Sequence, residues 1–305
     1  RNPTLAALIL LIVLVLAVCT IVTKSIANSI NEIKNAAGLL AKGRTDAVVP
    51  VYGRDVIGAL GRSINNLVEN NKELAGAADA IGRGDFTVAV NPRSDGDLLG
   101  NAIAGMKTDL FRFKSQNEQK IWRQTGVNQM NDAVMGEKDL SAITRDVMEV
   151  LVRYLNAGVG LFYVSQHRES LYFAHGYAVG EESRRQETIH FGQTLVGQAA
   201  VSKKITLLSD VPENYIKIRS ASGSATPRYL VILPLVFNNE TEGVIELGFL
   251  TPLDENAIQL LKEVADNVAI ALQAAKSKAR LQELLEETQT QAEELQSQHS
   301  ELENV

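Results

Sequence analysis

Arg54-Asp55-Val56-Ile57-Gly58-Ala59-Leu60 and Gly96-Asp97-Leu98-Leu99-Gly100-Asn101-Ala102 share an Asp-x-x-Gly core, with Asp55 and Asp97 42 residues apart, as are Gly58 and Gly100. Each motif opens an apolar stripe in alternating steps of three and four: Ile57, Leu60, Ile64 and Leu67 after the first, Leu99, Ile103, Met106, Leu110 and Phe113 after the second. That spacing is the seam of packed helices. Before the first motif, Ile26, Ile30, Ile33, Ala37 and Leu40 form another stripe, which Ala41-Lys42-Gly43-Arg44 ends because glycine stops helices. Val48-Val49-Pro50-Val51 reads as an extended connector, since Pro50 forbids further helix. The plan then repeats, with Leu74, Ala78 and Ile81, then Gly82-Arg83-Gly84-Asp85, then Val88 to Pro92. Two parallel helices joined by an extended strap are half of a four-helix bundle, and a second copy of the chain supplies the other half. A repeat of six heptads keeps the seam in phase from one unit to the next, so a rotation entering the first can leave the second.

Upstream, Thr4 to Val22 holds no charged residue. A stretch of roughly twenty apolar residues spans a bilayer core and exceeds the apolar run of a leader peptide. Lys24, Lys34, Lys42 and Arg44 follow it, which places the C-terminal side in the cytoplasm. Arg1-Asn2-Pro3 reads as an abrupt start, with an external sensor and an earlier span before it. A net charge of −6 gives no reason to expect nucleic acid. The lone Cys19 excludes an internal disulfide and a cysteine metal site.

Downstream, Ala142 to Leu155 reads as an amphipathic helix. β-like runs follow at Gly160–Val164, Leu171–Ala174, Ile205–Leu208, Tyr229–Val236 and Gly243–Phe249. Asp254 is placed to cap a long helix over Glu255 to Ala275. Helix, antiparallel strands and closing helix make an α+β domain. Beyond it Leu281, Leu285, Thr288, Ala292, Leu295, His299 and Leu302 step by four and three, the seam of a parallel coiled coil. His299 lacks the surroundings of a phosphoacceptor and is assigned to the seam.

The doubled pattern of heptad helix, glycine, proline-bearing connector and Asp-x-x-Gly resembles the HAMP module of bacterial transmembrane receptors, with Gly43, Asp55, Gly58, Gly84, Asp97 and Gly100 at the motif positions. Val56 and Leu98 stand where that family usually carries Glu, and Asn28 about where it carries an early Pro. Gly192 to Ala200, Leu233-Pro234-Leu235 and Gly243-Val244-Ile245-Glu246-Leu247 resemble the GAF family. Trp122 to Gly126, Ser220 to Arg228 and Leu284 to Gln289 resemble the GAF input of large hybrid histidine kinases. The resemblance implies a mainly α chain with one α+β domain. It divides into a transmembrane helix (1–23), tandem HAMP modules in a dimer (24–70 and 71–114), a linker (115–138), a GAF domain (139–275) and a coiled coil (276–305) leading to an output domain.

Tyr163, Phe173, His190, Tyr215, Tyr229 and Glu246 are candidates to line a GAF pocket, and core packing explains most of them equally well. The domain's ligand is unidentified, and an empty dimer spacer suits the sequence as well as a sensor does. His167, His175 and His190, spaced by 8 and 15, match no metal-ligand pattern, so no metal is expected. No phosphate loop, HExxH or nucleophile elbow is present. The reading is therefore a segment without catalytic residues or cofactor. It relays signals from the bilayer through a homodimer to a downstream kinase core, which would use ATP and Mg, and onward to receiver domains or a response regulator. A chemoreceptor-type scaffold and the input of a nucleotide cyclase are the alternatives.

Overall fold

The computed structural model describes residues 3–51, 53–166, 169–180, 188–212, 215–220 and 223–303, with side chains described within 7–296 except at 220. His167 and residues 221–222 lie outside these, as do the side chains of His299 and Leu302. The chain divides into two compact units, Arg1–Ser115 and Gln116–Val305.

The first unit is built from α1 (Pro3–Leu40), α2 (Val56–Gly82) and the opening part of α3 (Leu98–Val134). Helix α1 runs unbroken from the apolar stretch into the first stripe, and it is long and apolar enough to cross a membrane. From Leu8 to Val22 its large side chains are exposed, as a lipid-facing surface requires. A small core forms where the strap between α1 and α2 lies against both: Ile33 and Ala36 of α1, Ala47 and Val49 of the strap, and Val68 of α2. The stripes read from the sequence stay partly open in one chain, with Ile30, Leu60, Leu99 and Phe113 all at least half exposed while Ile33, Leu74 and Ile81 are buried.

In the second unit a six-stranded antiparallel sheet has the order β3-β2-β1-β8-β7-β4. Its strands are β1 (Val159–Gln166), β2 (Ser170–Tyr177), β3 (Thr188–His190), β4 (Thr206–Ser209), β7 (Tyr229–Phe237) and β8 (Glu240–Phe249), while β5 (Ile218–Ser220) and β6 (Gly223–Ala225) form a separate hairpin. Side chains alternate cleanly across the central strands. Phe162, Val164, Val231, Leu233, Ile245 and Leu247 face a core closed by α4 (Leu140–Leu155) and the first half of α6 (Glu255–Glu303). Leu161, Tyr163, Leu230, Ile232 and Val244 face the opposite core, beneath α5 (Thr194–Ser202). Both faces being covered, the central strands read as continuous apolar runs. The helix expected to close the domain does not stop near Ala275. It runs on to Glu303 as one element, because Glu, Gln, Lys, Ala and Leu offer no breaker.

Candidate functional site

In the first unit the motif residues fasten the straps. Gly43 and Gly84 sit at φ +80° and +85°, turning the chain out of each helix through the left-handed region. The Asp55 side chain accepts from the Gly58 amide at 2.8 Å, and Asp97 accepts from the Gly100 amide at 3.1 Å, so each Asp caps its helix three residues ahead. Asp97 is buried and also accepts from the Arg93 amide at 3.0 Å and from its guanidinium at 2.8 and 3.0 Å. These bonds, the guanidinium's first, hold its carboxyl well below the usual carboxylate range. Sequence reading missed a second pair at the same spacing. Asn65 bonds both backbone groups of Val49, at 2.8 and 2.9 Å, while Lys107, 42 residues on, donates to the Val88 carbonyl at 2.7 Å. Val56 and Leu98, in the Glu positions of the resemblance, are each 85 % exposed.

Gly58 has no room for a side chain: a Cβ there would lie 2.1 Å from the Gly53 carbonyl oxygen. Gly58→Ala is therefore expected to loosen the first strap and lower the thermal stability of the first unit, by about 1–3 kcal/mol. Gly76→Ala, at a position in α2 with nothing within 4 Å of an added Cβ, is expected to raise it by about 0.5–1 kcal/mol. Circular dichroism melts of the two variants side by side check both signs.

In the second unit, four of the six candidate pocket residues come together. Glu246 sits mid-strand on β8, paired with Leu161 on one side and Ile232 on the other, and is only 4 % exposed. The Tyr215 hydroxyl donates to its carboxyl, and Tyr163 is buried beside it, edge-on to Phe173 with ring centroids 6.0 Å apart. Burial pushes the Glu246 carboxyl up to about 7, against the opposing pull of the Tyr215 hydrogen bond. Burial first, and then the charge of Glu246, pushes both tyrosines up as well. Among the described residues the Glu246 Oε1 atom has no hydrogen-bond partner. The other two candidates lie apart from this cluster. Tyr229 packs against the opposite core, because strand alternation places it with Val231 and Leu233, and His190 is exposed on β3. Among the described residues no cluster of three metal-ligating side chains occurs.

The part of α3 that belongs to this unit lies against α6. Asn256 donates to the Gln119 carbonyl at 3.3 Å, and Arg123 reaches Asn256 at 3.1 Å and Glu263 at 2.9 Å. Further on Asn267 donates to Asn131 at 2.8 Å and Lys278 to Glu137 at 3.0 Å. Partners advance together in number, so the incoming and outgoing helices run parallel. Gly126 allows the close approach, since a Cβ there would meet Leu260 at 2.8 Å and Tyr154 at 2.7 Å.

The HAMP domain model matches residues 21–73, and the GAF domain model matches residues 137–273. The chain carries a HAMP domain and a GAF domain. Solved structures similar to it include a GAF domain of a phosphoenolpyruvate-protein phosphotransferase from Coxiella burnetii, 15 % identical, covering 52 % of this chain and 98 % of that one, with a TM-score of 0.45. The corresponding GAF domain from Acinetobacter is 13 % identical, over 52 % and 97 %, at 0.43. Free methionine-R-sulfoxide reductase from Neisseria meningitidis is 20 % identical, over 53 % and 93 %, at 0.42. No curated protein matches the chain. The first strap, the Asp55 cap and the small core thus fall within the HAMP domain, the Asp97 cap lies beyond residue 73, and the Glu246 cluster falls within the GAF domain. HAMP and GAF domains together mark the chain as an input segment for signal transduction.

Proposed function

We propose that this segment receives and relays signals in a membrane-bound, dimeric sensor histidine kinase, with residues 71–114 acting as a second HAMP module. The observation that carries this reading is the parallel polar ladder between α3 and α6. It lets a shift of the incoming helix reach the outgoing one within one subunit, without first deforming the sheet. Repetition of the strap-fastening residues at 42 residues, Asp55 with Asp97 and Asn65 with Lys107, supports a second module in heptad phase with the first. The exposed stripe of Leu281, Leu285 and Leu295 on α6 suits a second subunit in register. The relay is a two-state helix bundle, and each input biases it only by its differential free energy, typically about 1–3 kcal/mol.

Two measurements test this reading. In a Cys19→Ser background, Leu285→Cys should form an intersubunit disulfide in native membranes at low density, and the outward-facing Thr290→Cys should not. The complete gene product, given ATP and Mg, should gain an acid-labile phosphoryl group. Equal cross-linking at both positions would remove the in-register dimer. A well-folded dimer without phosphorylation would favour the chemoreceptor or cyclase alternative.

A further inference from the structure

The Glu246 cluster invites a question of chemistry. A carboxyl group sits in the middle of an apolar sheet face, flanked by Leu161, Ile232 and Val244. Packing alone would favour an apolar side chain there, since an unpaired buried carboxylate is costly. Tyr215 supplies one hydrogen bond, and Oε1 has no partner among the described residues. A donor for that atom, best a positively charged one, would satisfy it. The surroundings suit such a group. Tyr163 and Tyr215 bring aromatic rings beside the carboxyl, with Phe173 edge-on to Tyr163, and rings with a carboxylate are the chemistry that holds organic cations. A metal ion would need further ligating side chains, and the described residues bring none together. Tyr215 also gives a route inward, because it is 39 % exposed while its hydroxyl meets the buried carboxyl.

We propose that this cluster recognises a small organic ammonium ion, whose N–H groups pair with Glu246 and whose alkyl part lies against Tyr163 and Phe173, with Tyr215 as the displaceable gate. The proposal deepens the input reading above and rests on it only for the consequence of binding. Tyr163 and Tyr215 are the described titratable side chains that interact with the carboxyl. Helix α5 contributes none over Thr194–Ser202, β7 brings Leu230 and Ile232, β1 brings Tyr163, and His175 follows Phe173 two residues along β2. A cation must therefore compete with the proton on Glu246, and it should bind more weakly at pH 6 than at pH 8.

The test uses the full chain in lipid nanodiscs with n-butylammonium chloride as the probe and butanol and butyrate as its neutral and anionic counterparts. Binding is followed by the thermal melt of the second unit and by tyrosine fluorescence. Saturable stabilisation by butylammonium alone is expected, stronger at pH 8, and weakened about 30-fold or more by Glu246→Gln. Tyr215→Phe, which removes the competing hydroxyl and keeps the ring, should bind at least as tightly. If butylammonium does no better than butanol, or if Glu246→Gln leaves its binding unchanged, the proposal is overturned. Should the glutamine variant fail to accumulate, the pH comparison on the unaltered chain decides by itself. Scoring the Leu285→Cys cross-link in the same discs separates the two readings: loss of the cross-link with butylammonium binding intact removes the dimeric relay, and the reverse removes the ammonium site.

Discussion

Glu246→Gln is expected to make the second unit more stable than its parent at pH 8, and to flatten the fall of stability with pH that the parent shows. The carboxyl is held near 7 in the folded chain, against an ordinary value of 4.5. Below about pH 4.5 it is protonated in both folded and unfolded states, and it contributes no pH dependence. Between there and about 7 the unfolded chain gives up the proton while the folded chain keeps it, so stability falls as pH rises. Above about 7 the loss is complete. A gap of that width corresponds to on the order of 3 kcal/mol. Glutamine cannot ionise and its carbonyl still accepts from Tyr215, but its amide protons then lack a partner, at about 1 kcal/mol or more. The net gain at pH 8 is on the order of 2 kcal/mol. At pH 4 the variant should be level with the parent or slightly weaker. Trp122, the chain's one tryptophan, packs against Tyr154 with ring centroids 5.0 Å apart, so its fluorescence reports unfolding of this unit. Denaturant titrations at pH 4, 6 and 8 give the comparison. A parent stability that rises from pH 5 to 8 would contradict the buried, unpaired state of Glu246.

The helices and their stripes were legible because heptad spacing is a one-dimensional signal. Ile57, Leu60, Ile64 and Leu67 announce a seam without any knowledge of what covers it. The strap's attachments were not legible. Gly61 and Val68 are buried beneath the first strap, and Asn65 grips Val49, yet their places depend on a contact across 16 residues that no periodicity encodes. The six-stranded sheet was mostly legible from its long central runs, whereas three-residue β3, β5 and β6 carry too few residues to show a period. In the candidate site, the aromatic and acidic residues were recognisable as types but their grouping was not. Tyr229 could have been set aside from the sequence alone, since alternation from Leu230 and Ile232 puts it on the opposite face. Tyr215, by contrast, lies outside any strand, and only the fold brings its hydroxyl to Glu246. The ladder between α3 and α6 joins residues more than 130 positions apart, which places it beyond local reading altogether.

Inserting one alanine after Leu67 should separate the two halves of α2 in phase. Val56–Gly82 is a single helix. Its first half carries Leu60 in the first module and its second half carries Ala78 in the proposed second one. An added residue turns everything beyond it by about 100°, which carries the downstream seam off the dimer axis. The first half is fastened to its strap through Asn65, Val68 of the same small core lies just beyond the insertion, and the second half lines a cleft, through Leu74 and Ala77, with Val88 to Asn91 of its own strap. The turn therefore cannot be absorbed without releasing one strap. In a Cys19→Ser background, Leu60→Cys and Ala78→Cys should both cross-link in the parent helix. After the insertion Leu60→Cys should still pair, while pairing at Ala78→Cys should fall severalfold. Inserting seven residues returns the seam to within about 20° of its original direction, so cross-linking at the second position should recover. Signalling through the complete gene product should follow the same pattern, lost with one residue and regained with seven. Were the single insertion to leave both cross-links and the output as they were, the coupling of the two modules through helix phase would be wrong, and the straps would have to act independently of the direction in which α2 presents its apolar stripe.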